Sequence, residues 1–225
     1  MSRGPPGGDG LRPPEAPVDC GLCARLVAFR EANRRAEPTW FNGAVPSFGG
    51  SDARLLIVGL APGLKGANRT GRPFTGDYAG ALLYGTLSDF GFATGRYGAR
   101  ADDGYELVGC MITNAVRCVP PENKPTPAEA ATCRPYLAAR IAALPQLKAI
   151  LALGRIAHDN TLAALGLRKS AFPFAHGATH EAPGGLTLYD SYHCSRYNTS
   201  LRVLTPEMFR AVFERIREAL PLAEA

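Results

Sequence analysis

No apolar run in the 225-residue chain is long enough to span a bilayer, so there is no candidate for a membrane-crossing helix. The opening stretch, MSRGPPGGDGLRPPEAP, holds no hydrophobic signal core; a cytoplasmic location and no membrane partner are expected. There is no internal repeat. No Gly-x-Gly-x-x-Gly lies at a strand–helix turn, and no Gly-Lys-Ser/Thr occurs, which excludes a dinucleotide fingerprint and a Walker A loop. Neither sign of charge is in large excess. A net charge of +5 is compatible with a phosphate-bearing partner but does not identify one. In a reducing compartment the six cysteines are not to be read as disulfides by default.

What is present is enough for one sizeable core, with 46% hydrophobic residues. The Gly- and Pro-rich residues 1–17 read as a disordered arm, and residues 18–225 as a single domain. Four apolar runs read as buried strands: RLLIVG at 54–59, LVGCMITNA at 107–115, AILAL at 149–153 and TLYDSY at 187–192. Helical spacing covers 20–33, 79–90, 127–143, 155–165 and 206–220, with Thr126-Pro127 and Thr205-Pro206 as entry signals. Strand and helix alternate. The expected fold is α/β, a three-layer α/β/α sandwich around a four-stranded, mainly parallel sheet.

Three distinctive segments then share one property: each follows a strand. GLAPGLKGANRTGRPFTGD runs from Gly59 to Asp77, Arg117–Thr126 follows the second strand, and His193–Asn198 follows the fourth. Ligands of open α/β sheets bind beyond the carboxyl ends of the strands, so these segments should meet at one crevice. Glycines in the first segment let backbone approach a ligand, and Phe74, stiffened by Pro73, offers a flat face for a nucleobase. The cysteines divide as well. Cys20-x2-Cys23 and Cys118-x14-Cys133 can close four thiolates around tetrahedral zinc or a [4Fe–4S] cluster, and spacing alone does not choose between them.

Taken together, GLAPGLKGANRTGRPFTGD, TNAVRC and HCSRYN resemble the uracil-DNA glycosylases, most closely their iron–sulfur, b-type branch, family 5, over roughly Cys20 to Asn198. The resemblance implies a [4Fe–4S] cluster on Cys20, Cys23, Cys118 and Cys133, structural rather than redox-active. It implies hydrolysis of the N-glycosidic bond of uracil and other deaminated bases in DNA, leaving an abasic site without strand cleavage, by a monomer. Ala61 takes the position where many branches carry Asp or Asn, which leaves Asp77 as the acid. Cys194 stands where many relatives have Pro, which bears on the stiffness of the last loop.

The chemistry assigns the remaining roles. A base must leave the stack before its glycosidic bond is reached. Gly63, Phe74 and Asn114 would receive it, Asn114 offering a donor and an acceptor to uracil O4 and N3–H. His193 would donate to O2 as negative charge grows there. Asp77 would stabilise the cationic sugar or hold the water, besides capping the next helix, and Asn198 would orient the water or a phosphate. Arg196 or Tyr197 would wedge into the gap; Lys65, Arg69 and Ser195 would contact phosphates; Arg117 and Lys124 would extend the basic surface. Two rivals give different results. A non-catalytic damaged-DNA-binding module would bind without base release, and an electron carrier would ignore DNA.

Overall fold

In the computed structural model, which describes residues 14–221, the four apolar runs lie side by side and parallel. The elements in chain order are α1 (Ala24–Ala36), β1 (Phe48–Gly49), β2 (Leu55–Gly59), α2 (Ala67–Thr70), α3 (Tyr78–Asp89), β3 (Ala93–Thr94), β4 (Glu106–Leu107), β5 (Cys110–Asn114), α4 (Pro127–Ala142), β6 (Ala149–Leu153), α5 (Arg155–Ala164), β7 (Thr179–Ala182), β8 (Leu186–Ser191), α6 (Arg196–Ser200) and α7 (Pro206–Ala219). The main sheet runs β1-β5-β2-β6-β8-β7. Its central four strands pair parallel, with Ile57 opposite Ile112 and Leu151, and Leu151 opposite Tyr189. Two antiparallel edge strands, β1 and β7, extend the expected four to six. β1 is two residues long and β7 (THEA) is mostly polar, so neither shows the apolar run of a buried strand.

Alternation along each strand builds the layers. Leu55, Ile57, Ile112, Leu151 and Leu153 pack with Leu83 and Leu87 of α3 and Phe209, Phe213 and Ile216 of α7. Their neighbours Leu56, Val58, Met111, Ile150 and Leu188 pack on the other face with Leu137 of α4 and Ala157 and Leu162 of α5. A third, smaller cluster gathers Leu26, Ala44, Val116, Ala130 and Tyr136 around the cysteines. α4 begins with a complete capping box, Thr126 and Glu129 exchanging hydrogen bonds with each other's backbone.

The expected arm lies outside the described residues over 1–13. Within its last four positions, Ala16 is buried. Glu15 accepts hydrogen bonds from the Ser47 N–H at 3.0 Å, from Arg117 at 3.2 Å and from Arg140. This corrects the place of Arg117: it is 1% exposed, held by Glu15, Ser47 and the Pro14 carbonyl, and is not part of a basic surface.

Candidate active site

The strand order reverses at β2, which has β5 on one side and β6 on the other, and a crevice opens at such a reversal. Here it is a cavity of about 370 Å³, lined by Gly63, Phe74, Asp77, Asn114 and His193 from three separate segments. Gly59 and Asn114 are register partners at the carboxyl ends of β2 and β5, and their closeness explains the glycine. A Cβ on Gly59 would stand 2.4 Å from Asn114 Oδ1 and 2.6 Å from the Phe74 ring.

Phe74 sits at φ +53, a left-handed conformation that is costly for an aromatic residue. The surroundings hold it there. Tyr84 donates its hydroxyl to the Pro73 carbonyl at 2.6 Å, Arg72 Nε donates to Thr75 Oγ1 at 2.8 Å, and the Gly76 N–H donates to the Tyr97 hydroxyl at 3.3 Å. Thus Arg72, one of three cations in the glycine-rich stretch, is committed to shaping the loop. The other two, Lys65 and Arg69, are exposed and do not line the cavity.

Asp77 both caps a helix and lines the cavity. One oxygen, Oδ1, accepts from the Gly80 N–H at 3.0 Å as the N-cap of α3. The other lies over Gly63 and Gly66, where added Cβ atoms would stand 3.1 and 2.4 Å away. Asn114 is 2% exposed, and its Oδ1 has no hydrogen-bond partner among the described residues. A buried acceptor left unpaired costs about 1–3 kcal/mol, which a ligand's N–H would recover. The His193 ring stacks on Phe74 with centroids 5.7 Å apart. Burial pushes its pKa below the ordinary value, partly opposed by Asp77, so the ring is neutral at pH 7.

The last loop is held by its own hydrogen bonds. Asn198 does not line the cavity; its Nδ2 donates to the His193 carbonyl at 2.8 Å. It therefore sets the backbone that carries His193. Ser195 caps α6, its Oγ accepting from the Asn198 N–H at 3.3 Å, and also lines the cavity with Arg196. Cys194 is fully buried and its thiol lies 3.5 Å from the Ala79 carbonyl, which anchors the loop to α3. Tyr197 is 72% exposed, whereas the Arg196 guanidinium lies 5.4 Å from the Tyr78 ring centroid. Leu60, Tyr78, Ala79 and Asn123 also line the cavity and escaped the sequence reading; of these Asn123 comes from a separate segment, at φ +56 in the turn of the Pro-rich loop. Its signal was weak, because asparagine adopts left-handed turns anywhere.

Cys20, Cys23, Cys118 and Cys133 line a second, much smaller cavity of about 20 Å³, together with Leu26, Val116 and Tyr136. Cys20 and Cys23 precede α1 instead of opening it, Cys23 standing at the cap position. The Arg117 N–H donates to Cys133 Sγ at 3.3 Å, and Arg30 Nη1 approaches Cys118 Sγ at 3.9 Å. Arg25 clasps Glu129 through two bonds of 2.8 and 2.7 Å, joining α1 to α4 across this lobe. Burial pushes the Cys118 thiol up to about 12.

Behind the His193 loop lies a buried His158–Asp190 pair, Nδ1 to Oδ1 at 2.7 Å, with His158 Nε2 also 2.9 Å from the Phe172 carbonyl. Both ring nitrogens face acceptors, so the geometry suits the doubly protonated ring. Burial pushes His158 down, but Asp190, the Phe172 carbonyl and Asp159 outweigh it and raise its pKa. A raised folded-state pKa stabilises fully below the unfolded value, about 6.5, and the contribution is lost as pH rises through the folded value. Between Tm measurements at pH 6 and at mildly alkaline pH, the wild type should lose stability in this window. His158→Gln should be less stable throughout and lack this component; an unchanged Tm-versus-pH slope would remove the pair from the account. His180, whose Nε2 is 3.3 Å from Asp190 Oδ2, shares the cluster and is the necessary second control.

The chain is similar to known proteins over most of its length. Residues 46–217 match the family model described as the uracil DNA glycosylase superfamily. A type-5 uracil-DNA glycosylase of Thermus thermophilus is 49% identical over 210 residues, covering 91% of this chain and 94% of that protein. The type-5 enzyme of Mycobacterium bovis is 42% identical over 91% of this chain and 78% of its own length. A type-4 uracil-DNA glycosylase of Sulfurisphaera tokodaii is 30% identical over 89% of this chain and 81% of its own.

Proposed function

The chain belongs to the uracil DNA glycosylase superfamily, in its type-5 branch, and from that premise we propose that it is a DNA-repair hydrolase removing uracil from DNA. It cuts the N-glycosidic bond and leaves an abasic site; other deaminated bases are further substrates. The observation that carries the reading is the meeting of Phe74, Asp77, Asn114 and His193 at one cavity.

The flipped base enters against Phe74. Asn114 Oδ1, which lacks a partner, accepts from uracil N3–H while Nδ2 donates to O4. The neutral His193 ring donates to O2 as the bond breaks, and Asp77 faces the sugar, where it stabilises positive charge or takes a proton from water. Asn123 closes the wall from the loop between Cys118 and Cys133. Tyr197, projecting and uncommitted, is favoured over Arg196 as the wedge into the emptied stack.

Cys20, Cys23, Cys118 and Cys133 fit a [4Fe–4S] cluster. The donor set is entirely sulfur, the cavity is apolar, and an amide N–H points at one sulfur, the kind of hydrogen bond that tunes such sites. When bound, the cluster supplies a structural cross-link between the segment before α1 and the β5–α4 connection.

A duplex with a single uracil, treated with alkali after incubation, tests the reading directly. Strand scission at the uracil position is expected. His193→Ala should slow single-turnover release by roughly 10²–10³ with little change in DNA affinity. Tight binding with no base release by the wild type would favour a damaged-DNA-binding module instead.

A further inference from the structure

We infer that the loop 95–104 is a preorganised clamp for DNA backbone phosphates beside the flipped nucleotide, with Arg96 and Arg100 as its phosphate-binding cations. The inference rests on the glycosylase reading for the identity of the polyanion, but not for the existence of the surface.

The loop is welded to the wall of the candidate active site. The Asp103 carboxylate accepts two bonds of 2.8 Å from buried Arg72, one of 2.8 Å from the Gly98 N–H and one of 3.1 Å from the Tyr105 N–H. Tyr97 contributes its hydroxyl to Gly76 and Phe74. The loop therefore cannot shift without moving the segment that ends in Asp77. Its outer side is an open recess of about 420 Å³ lined by Arg96, Tyr97, Gly98, Arg100 and Asp103.

The charge in that recess is available. Asp103 is neutralised by Arg72. Arg96 is exposed and has no ion-pair or hydrogen-bond partner among the described residues. Arg100 meets only Asp102, at 3.2 Å, with both side chains more than 70% exposed, a pairing that contributes little and yields readily to a phosphate. The position is also right. A Cβ on Gly76, one residue before Asp77, would stand 2.8 Å from Arg69 Nη2 and 3.7 Å from the Ala99 carbonyl. Arg69 and the loop thus flank the same residue. A backbone entering the cavity with its sugar at Asp77 passes between exposed cations held on a fixed frame, the arrangement that positions a strand without reading its sequence.

The test measures binding apart from cleavage. Fluorescence anisotropy with a short duplex carrying 2′-fluoro-deoxyuridine, whose glycosidic bond resists hydrolysis, gives affinity against salt. In the double variant Arg96→Ala/Arg100→Ala the slope of log K against log salt should flatten by about 2, at roughly 0.9 for each phosphate that is no longer neutralised. Lys148→Ala, at the amino end of β6 and far from the carboxyl-end crevice, should leave the slope unchanged. Single methylphosphonates near the uracil should weaken the wild type at one or two positions and not the double variant. An unaltered slope in the double variant overturns the clamp even if the wild type cleaves uracil. Absence of cleavage by the wild type overturns the glycosylase reading, while the slope still reports on the clamp.

Discussion

We expect Asp77→Asn to lower single-turnover base release by roughly 10²–10⁴ while leaving Tm and DNA affinity in place. The structure makes this substitution unusually clean. Asp77 Oδ1 caps α3 through the Gly80 N–H, and its second oxygen lies over Gly63 and Gly66 at the cavity wall. Asparagine caps a helix about as well as aspartate, so the variant preserves the cap and removes only the charge. Asp77→Ala would remove both and add about 0.5–2 kcal/mol of lost cap, confusing chemistry with stability. In the proposed mechanism the charge has two uses: it offsets cation development on the sugar, and it counters the effect of burial on His193. The asparagine variant should therefore also hold His193 neutral to lower pH. Full single-turnover rate in Asp77→Asn would mean that the acid lies elsewhere.

Much of the frame was legible because it depends on local chemistry. The run AILAL coincides with β6, and Thr126-Pro127 with the start of α4, since a strand buried on both faces is apolar throughout and a hydroxyl before Pro is a strong helix-entry signal. β1 and β7 were not legible: an edge strand is defined by its neighbour's free hydrogen bonds, not by its own pattern. The site divides in the same way. Asn114 ends β5, Asp77 caps α3, and Phe74 and His193 lie in the loops that follow β2 and β8, so all four fall beyond the carboxyl ends of the strands, where topology brings segments together. Charge deceived the reading where tertiary structure decides burial. Arg117 was expected on a basic surface with Lys124, yet it is buried against Glu15, a carboxylate from a distant part of the sequence; Arg72, in the glycine-rich stretch, is buried in the same way against Asp103. Asn198 adds a contact that spacing does not show: its amide donates on its own loop, to the His193 carbonyl.

The buried pair carries the largest stability effect expected in the molecule. Arg72 and Asp103 are each 4% exposed at the side chain and meet through two parallel bonds of 2.8 Å. The guanidinium also lies 4.9 Å from the Phe48 ring centroid and 5.3 Å from that of Tyr84, so no water replaces a lost carboxylate easily. Asp103→Ala leaves that cation buried and unpaired, and frees the Gly98 and Tyr105 N–H groups as well. A cost of about 3–5 kcal/mol follows, or a Tm lower by roughly 6–20 °C for a chain of this size. The Arg72 guanidinium holds Asp103 far below the usual carboxylate range, so the pair survives into acid and its contribution is lost only as pH falls through that low value. Removing both charges in Arg72→Met/Asp103→Leu should recover part of the loss, because the desolvated cation is gone; the two backbone N–H groups keep the recovery incomplete. Base release should recover less than Tm does. Arg72 Nε also holds Thr75, next to strained Phe74, and methionine cannot replace that bond. A Tm within about 2 °C of wild type for Asp103→Ala would show that solvent reaches the guanidinium, and that the loop's anchor lies in its tyrosines and not in its ion pair.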